Sequence, residues 1–276
     1  MNEVFVEVVV KGDPAQLEII LAQLNEGMDI EGVEESEGYL KFYFKKEYFK
    51  EEIFKNLIDI NNINYSISNV NNKNWNAIWE SDFQPVVVNG FASIRADFHP
   101  ANNDVAYDII VTPKMSFGTG HHATTHMMIE MMQDFSPAGK EVIDFGTGTG
   151  VLAILAVKMK ASLVTAIDYD AWSIANAEEN FEKNHTPGIT LLQLDHFPGN
   201  LSADLVLANI NRNVITDNLH RIAGGLKPDG TLLISGILQS DIPDIQKLMK
   251  EAGFEELKGL LKNNWACLAF KKLIKG

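Results

Sequence analysis

The stretch Val142–Gly150, V-I-D-F-G-T-G-T-G, is followed at once by the apolar run V-L-A-I-L-A-V. A short β-branched and aromatic run, three alternate glycines and then helical periodicity predict a strand, a tight turn and a helix. Glycine lets the backbone turn sharply and lets a ligand approach closely. The unpaired N–H groups at the start of the helix suit polar or anionic groups. The stretch therefore predicts a ligand site at the end of a strand.

An acidic residue ends the next apolar run, L-V-T-A-I-D, and this residue, Asp168, lies 22 residues after Gly146. A doubly wound sheet places an acid at this point, where it accepts hydrogen bonds from ribose hydroxyls. The glycines follow G-x-G-x-G, because Val151 occupies the third position of the dinucleotide pattern G-x-G-x-x-G. These features predict an adenosine-type cofactor, and a tight turn without a ligand is the alternative.

Strand and helix patterns alternate through the rest of the chain, which predicts a largely parallel sheet with helices on both faces. The helices start near Val151, Ala171, Asn213 and Asp241. The last two strands are separated only by K-N-N and should form an antiparallel hairpin. The seven predicted strands span residues 141–145, 162–168, 189–194, 204–209, 230–236, 254–261 and 265–271. A parallel sheet that ends in an antiparallel strand, with Asp144 ahead of the glycines, resembles the class I S-adenosylmethionine-dependent methyltransferases.

The first 70 residues show a different order of elements, βαββαβ, which predicts a small ferredoxin-like α+β domain. Asp13 is expected to cap its first helix. The predicted domains are residues 1–70, a linker helix with tryptophans at 71–80, and the doubly wound domain at 81–276. Shorter strands are expected at residues 86–88, 91–96 and 104–111.

Composition narrows the class of protein. The 276 residues carry a formal net charge of −14. This charge disfavours tight binding to a nucleic-acid backbone and favours a basic protein partner, with solubility alone as the alternative. From Glu26 to Glu37 there are six acids and no base, which suggests a solvated face or a surface that docks a basic protein. The chain has a single cysteine, which fits a reducing compartment. It has no signal-peptide pattern and no apolar run long enough to span a membrane, so we expect a cytoplasmic protein without membrane association.

The stretch Met115–Thr125, M-S-F-G-T-G-H-H-A-T-T, predicts a tightly turned or mobile loop before a helix that Thr124 or Thr125 caps. The histidines at 121, 122 and 126 suggest a metal site, but H-A-T-T-H lacks the internal Glu of H-E-x-x-H and no cysteine cluster accompanies it. We therefore expect no metal.

Two further candidates stand at strand ends. Asn209 ends the run D-L-V-L-A-N, where its carbonyl oxygen could accept a hydrogen bond from an amine, and turn chemistry shared with Asn211 is the alternative. Asp195 follows another strand and is expected near the adenine, with a helix cap or turn as the alternative.

With these residues in view, the chain resembles the PrmA-type ribosomal protein methyltransferases, which modify large-subunit ribosomal protein L11. The motifs that carry the resemblance are F-G-T-G-H-H-A-T-T (117–125), V-I-D-F-G-T-G-T-G (142–150), A-I-D (166–168), L-A-N-I (207–210) and S-G-I-L (235–238). The resemblance implies methyl transfer from S-adenosylmethionine to the α-amine and lysine ε-amines of that protein. It also implies recognition by the N-terminal domain, with the ribosome or its assembly intermediates as a further partner.

The resemblance implies that Asn209 lies at the cofactor and that Phe117–His122 form a loop that closes over it. Because the reaction mainly requires the amine, the methyl group and the sulfur to be held in line, we expect Asn209 to orient the amine as the catalytic residue, with no dedicated general base. The residues expected to bind the cofactor are Thr125, Gly146, Asp168 and Asn209, the loop residues Phe117, Gly118, Thr119, Gly120 and His122, and the strand-end and turn residues Asp144, Gly148 and Asp195.

Three alternatives remain at this point. One is methylation of a nucleic-acid base or small molecule, although Asn-Ile-Asn-Arg at 209–212 replaces the Asn-Pro-Pro and aromatic typical of base-methylating enzymes. The second is a nicotinamide-dependent oxidoreductase. The third is a non-catalytic cofactor-binding protein that acts in ribosome assembly.

Overall fold

The computed structural model describes residues 4–28, 30, 32–36, 38–61, 63–71, 83–112 and 120–274. The chain divides into two compact units, residues 1–82 and 83–276. The linker helix predicted at 71–80 lies outside the described residues, except for Asn71, which ends a strand. The domain boundaries inferred from the sequence stay predictions.

The first unit has the element order βαββαβ. Its elements are β1 (Val4–Lys11), α1 (Pro14–Gly27), β2 (Gly32–Ser36), β3 (Tyr39–Lys45), α2 (Glu51–Asn61) and β4 (Asn64–Asn71). The strands form one antiparallel sheet in the order β2-β3-β1-β4, which is the ferredoxin-like arrangement. Asp13 Oδ1 accepts the N–H of Gln16 at 3.1 Å, so the predicted cap of α1 is confirmed.

The second unit contains a seven-stranded sheet and a three-stranded sheet. Its elements are β5 (Val86–Val88), β6 (Ala92–Arg95), β7 (Tyr107–Ile110), α3 (Ala123–Asp134), β8 (Glu141–Phe145), α4 (Val151–Lys158), β9 (Leu163–Asp168), α5 (Ala171–Lys183), β10 (Ile189–Gln193), β11 (Ala203–Asn209), α6 (Arg212–Gly225), β12 (Leu226–Leu238), α7 (Ile242–Glu251), β13 (Phe254–Lys262) and β14 (Trp265–Lys272). The helix starts agree with the sequence pattern to within one residue.

The large sheet has the order β10-β9-β8-β11-β12-β14-β13. Its first five strands pair in parallel, and β14 pairs antiparallel with both β12 and β13, as the sequence predicts. The buried strands are nearly continuous apolar runs because helices cover both faces. The predicted fold class is therefore confirmed: a Rossmann-like seven-stranded domain with an N-terminal ferredoxin-like domain.

The chain crosses from one side of β8 to the other between β10 and β11. Strands β9 and β11 both pair with β8, so their carboxyl ends flank the turn that follows Phe145. Ligands bind open α/β sheets at such a switch point. The topology therefore brings the ends of three strands, β8, β9 and β11, to one place.

The small sheet has the order β5-β6-β7. The turn at Asn89 and Gly90 has positive φ at both residues, 49° and 67°, as a tight antiparallel hairpin requires. In contrast, β6 and β7 pair in parallel, although no helix connects them. Sequence periodicity did not predict this pairing, because strand orientation depends on the path of the connection between the strands.

We expect Gly236→Ala to lower the free energy of unfolding of the second unit by roughly 3–5 kcal/mol. The residue has a φ of +83°, and a Cβ atom there would collide with the backbone carbonyl oxygen of Ile210, which cannot move like a flexible side chain. Gly139→Ala is the control, because Gly139 has a φ of +73° but no atom lies within 4 Å of its added Cβ. That variant should cost about 1–2 kcal/mol from backbone strain alone. Equal losses in chemical denaturation would show that the collision has no effect.

Candidate functional site

The glycine turn, residues 146–150, begins where β8 ends. The N–H groups of Gly146 and Thr147 both donate to the carbonyl of Ile167, at 2.8 and 2.9 Å. The three glycines have φ values of 77°, 54° and 80°, a region that residues with a Cβ atom rarely adopt. The last of them, Gly150, is the N-cap of α4 and has no side chain to occupy the helix start. The tight turn between strand and helix that the glycine pattern predicts is therefore present in the structure.

Two of these glycines also face side chains that leave no room for a Cβ atom. A Cβ atom at Gly146 would collide with Cγ2 of Ile210, and one at Gly150 would collide with the ring of Phe181. The turn is thus held closely between the end of β11 and α5. Its bare backbone forms a cradle of the kind that accepts a cofactor.

Asp168 ends β9 next to this turn and is 8% exposed. Its Oδ2 accepts the N–H of Gly148 at 2.8 Å, and its Oδ1 accepts the N–H of Asp170 at 3.1 Å. Burial raises the pKa of Asp168 above its ordinary value, while the Gly148 hydrogen bond opposes that shift. A carboxylate has about four acceptor positions, so these two bonds fix its orientation and leave acceptor capacity for ribose hydroxyls.

Asp144 lies inside the turn rather than on its open side. Its carboxyl group is 1% exposed, and Oδ2 accepts the hydroxyl of Thr147 at 2.6 Å. Burial raises the pKa of Asp144 to about 7, and the nearby carboxylate of Asp168 adds to this rise. Asp144 therefore stabilises the turn from its buried side through Thr147. Its predicted contact with the cofactor stays a prediction.

Asn209 ends β11 on the other side of β8. Its Nδ2 donates to Thr125 Oγ1 at 3.2 Å, and within the described part of the chain its buried Oδ1 has no hydrogen-bond partner. A buried acceptor without a donor costs free energy, so a ligand N–H is the expected partner. The helix cap at this junction is Asn211, whose Oδ1 accepts the N–H of Val214 at 2.9 Å. The side chain of Asn209 is therefore not used in that cap.

Thr125 lies in the first turn of α3 and is 1% exposed. The N-cap of that helix is His122, whose Nδ1 accepts the N–H of Thr124 at 3.3 Å, so the expectation that Thr124 or Thr125 caps the helix was wrong. A neutral imidazole nitrogen can accept the N–H groups of a helix start as a hydroxyl does. Burial lowers the pKa of His122 to about 4, which keeps the ring neutral in this position.

Two other predictions concern the residues around the site. Phe117, Gly118 and Thr119 lie outside the described residues, whereas Gly120 has a φ of +89° and packs against Ile94. Asp195 lies two residues beyond β10, its side chain is 84% exposed, and its Oδ1 is 2.6 Å from Nδ1 of the neighbouring His196. The predicted roles of these residues stay predictions.

Two histidines of the loop motif, His121 and His122, pack against different neighbours. The ring of His121 packs edge-on against Phe83, and the ring of His122 packs edge-on against Trp265. In the ranges described, no group of three or more His, Cys, Asp or Glu residues could hold a metal ion. Among the same residues, no helix combines the length and apolar character needed to cross a membrane.

Sequence reasoning missed a row of buried asparagines, which consists of Asn176 and Asn180 on α5 and Asn184 at its C-cap. Asn180 Nδ2 donates to the carbonyl of Thr149 in the glycine turn at 2.8 Å. The signal in the sequence is amide side chains repeated every four residues, which share one face of a helix. Such spacing alone does not show whether that face is buried or exposed to solvent.

Comparison with known proteins gives concordant results. The family described as "Ribosomal protein L11 methyltransferase (PrmA)" matches residues 9–273. A ribosomal protein L11 methyltransferase of Phocaeicola vulgatus is 38% identical over 211 residues, which cover 75% of each chain. One from Porphyromonas gingivalis is 41% identical over 203 residues, which cover 71% of this chain and 69% of the relative. The crystal structure of a ribosomal protein L11 methylase from Lactobacillus delbrueckii subsp. bulgaricus aligns with a TM-score of 0.63 and 26% identity, over 70% of this chain and all of the other.

The raised pKa of Asp144 predicts a pH-dependent stability. Because its folded pKa is about 7 rather than 3.8, the folded chain holds a proton that the unfolded chain has lost between these values. The stabilisation is complete below the unfolded pKa and is lost as the pH rises through the folded pKa, with a slope of up to about 1.4 kcal/mol per pH unit. Denaturation of wild type and Asp144→Asn across this window measures the effect. Parallel stability profiles for the two proteins would contradict it.

Proposed function

The chain belongs to the ribosomal protein L11 methyltransferase (PrmA) family, and we propose that it methylates amines of ribosomal protein L11 at the carboxyl ends of β8, β9 and β11. The family assignment, the enzyme class and the cofactor inferred from the sequence are confirmed: this is an S-adenosylmethionine-dependent protein methyltransferase. The α-amine and lysine ε-amines are the proposed acceptors.

The residues present fit this cofactor. The glycine turn offers bare backbone beside a helix start, and Asp168 is held in place with acceptor capacity to spare. We propose that this turn and Asp168 bind the cofactor together with Thr125 and Asn209. When bound, S-adenosylmethionine supplies a methyl group on a sulfonium, open to in-line attack by an amine.

The observation that carries the proposed mechanism is the buried Oδ1 of Asn209, for which the described residues supply no hydrogen-bond partner. Ala208 pairs with Phe145 across β11 and β8, so Asn209 and Gly146 follow at neighbouring strand ends. We propose that Oδ1 accepts an N–H of the incoming amine and thereby directs its lone pair. Thr125 holds the other half of the carboxamide through the 3.2 Å hydrogen bond, which fixes the direction of Oδ1. Catalysis is then mainly a matter of alignment.

The amine must lose its proton before it attacks. A lysine ammonium has an ordinary pKa of about 10.4, and removal from water in a site that also contains a sulfonium lowers it. Two titratable side chains near the site already have other roles. Asp144 accepts a hydrogen bond from Thr147 on the buried side of the turn, and His122 is the N-cap of α3. We therefore propose that desolvation promotes proton loss to solvent and that no side chain acts as a dedicated general base.

The substrate assignment agrees with the charge of the chain. A formal net charge of −14 favours encounter with a basic ribosomal protein and disfavours binding to ribosomal RNA. We propose that the substrate is met in the cytoplasm, either free or within the ribosome and its assembly intermediates. The N-terminal ferredoxin-like unit is the proposed recognition element.

We expect Asn209→Ala to reduce the rate of methyl transfer about 100-fold, because the amine loses its alignment. The assay uses labelled S-adenosylmethionine with purified ribosomal protein L11 and, separately, ribosomal RNA, and mass spectrometry identifies the modified amines. Asn213→Ala is the control, since Asn213 is an exposed residue of the neighbouring helix α6.

Label on the protein that falls in Asn209→Ala but not in Asn213→Ala supports the proposal. Label on RNA or on a small molecule would retain the methyltransferase and reject the substrate. Wild-type rates in Asn209→Ala would reject the role of this residue. Tight cofactor binding without transfer would instead support a binding protein of ribosome assembly.

A further inference from the structure

Helix α5 and its C-cap residue, Asn184, carry the asparagine row on the buried side of the helix. Asn176, Asn180 and Asn184 are 1%, 0% and 7% exposed. Their spacing of four residues places them on one face of the helix, one turn apart. Burying an amide costs free energy unless its hydrogen bonds are made. Asn180 and Asn184 bond backbone groups with both ends of their amides, which points to a use for which an apolar side chain of similar size would not serve.

Asn180 uses both ends of its carboxamide on backbone groups of different elements. Its Oδ1 accepts the N–H of Thr112 at 2.7 Å, two residues beyond the end of β7. Its Nδ2 donates to the carbonyl of Thr149 at 2.8 Å. Thr149 stands between Gly148 and Gly150 in the glycine turn. One side chain thus connects the three-stranded sheet to the turn.

Asn184 secures the same strand one helical turn further along. Its Oδ1 accepts the N–H of Ile110 at 2.9 Å, and its Nδ2 donates to the carbonyl of Ile110 at 2.5 Å. Strand β7 is at the edge of its sheet, so this side chain pairs with backbone groups that face away from β6. Lys183 adds a 2.8 Å hydrogen bond to Thr112 Oγ1. The end of β7 is therefore fixed firmly to α5.

The chemistry of this connection requires a carboxamide. A donor and an acceptor must lie on one short side chain, because Asn180 meets a backbone N–H at one end and a backbone carbonyl at the other. Leucine offers neither group. An ionised aspartate accepts only, and its second oxygen would face the carbonyl oxygen of Thr149.

We propose that Asn180 is a positioning residue for the cofactor site, which holds the glycine turn in its binding conformation by fixing the carbonyl of Thr149. The inference rests on the proposed role of that turn in binding S-adenosylmethionine. Each peptide unit is planar, so the direction of the Thr149 carbonyl also sets the direction of the following N–H, that of Gly150. The Gly150 N–H itself donates to the carbonyl of Thr147 at 2.8 Å, so this peptide has two restraints. Loss of the Asn180 bond removes one of them, and part of the cost of ordering the turn then falls on cofactor binding.

The test compares calorimetric S-adenosylmethionine binding and steady-state kinetics for wild type, Asn180→Ala and Asn218→Ala. Asn218 is a matched control, because it is a 6% exposed asparagine on α6. Its Oδ1 accepts the N–H of Phe197 at 2.9 Å and its Nδ2 donates to the carbonyl of Val214 at 2.9 Å, both outside the glycine turn. We expect Asn180→Ala to raise the Kd for S-adenosylmethionine about tenfold, the effect of one buried hydrogen bond.

The maximal rate at saturating cofactor should change much less, because the turn binds the ground state and the transition state alike. Asn218→Ala should lower the melting temperature of the protein but change the Kd less than twofold. Wild-type affinity in Asn180→Ala would overturn the inference, and so would an equal loss of affinity in both variants.

A second variant, Asn180→Asp, keeps the shape of the side chain and covers the case in which Asn180→Ala does not fold. Its ionised carboxylate cannot donate to Thr149, whereas its protonated form can. We expect its affinity for S-adenosylmethionine, relative to wild type at the same pH, to recover as the pH falls. A ratio that does not change with pH would contradict the inference. If wild type itself does not bind S-adenosylmethionine, the proposed function fails, which is a separate outcome.

Discussion

Two backbone N–H groups, those of Gly146 and Thr147, converge on the single carbonyl oxygen of Ile167. This arrangement bends the chain sharply at the end of β8, and the turn has positive φ values at Gly146, Gly148 and Gly150, which residues with a Cβ atom adopt only at a cost. In the same turn, the carbonyl of Thr149 accepts a hydrogen bond from Asn180 Nδ2, and the N–H of Gly148 donates to Asp168 Oδ2. The site is thus built around backbone geometry, and the side chains hold that geometry in place.

The sheet supplies the rest of the site through its topology. Since β8 lies between β9 and β11, an acid at the end of one strand and an amide at the end of the other are brought to opposite sides of one turn. Asp168 and Asn209 are 41 positions apart in the sequence, yet each requires only that its strand end at the correct register. This division of roles suits a reaction that depends on alignment more than on acid–base chemistry.

Most of the fold could be predicted from the sequence because buried parallel strands are short apolar runs separated by amphipathic helices. All seven strands of the large sheet and the final antiparallel hairpin were predicted in this way. Features that depend on tertiary contacts were not. Three such features are the parallel pairing of β6 with β7, the cap of α3 by His122 and the buried position of Asn180. The cap uses a residue type that rarely caps helices, and Asn180 is buried against Thr112, which is distant in sequence.

The link between α5 and β7 also bears on how small a working catalytic domain could be made. Removal of residues 83–112 would take away the backbone N–H groups that donate to Asn180 Oδ1 and Asn184 Oδ1. It would also uncover the face of α5 that the small sheet covers. A seven-stranded sheet excised by itself would therefore be an incomplete folding unit. In protein engineering terms, the three-stranded sheet belongs to the minimal scaffold, and transplantation of the glycine motif onto another α/β sheet requires an equivalent carboxamide behind it.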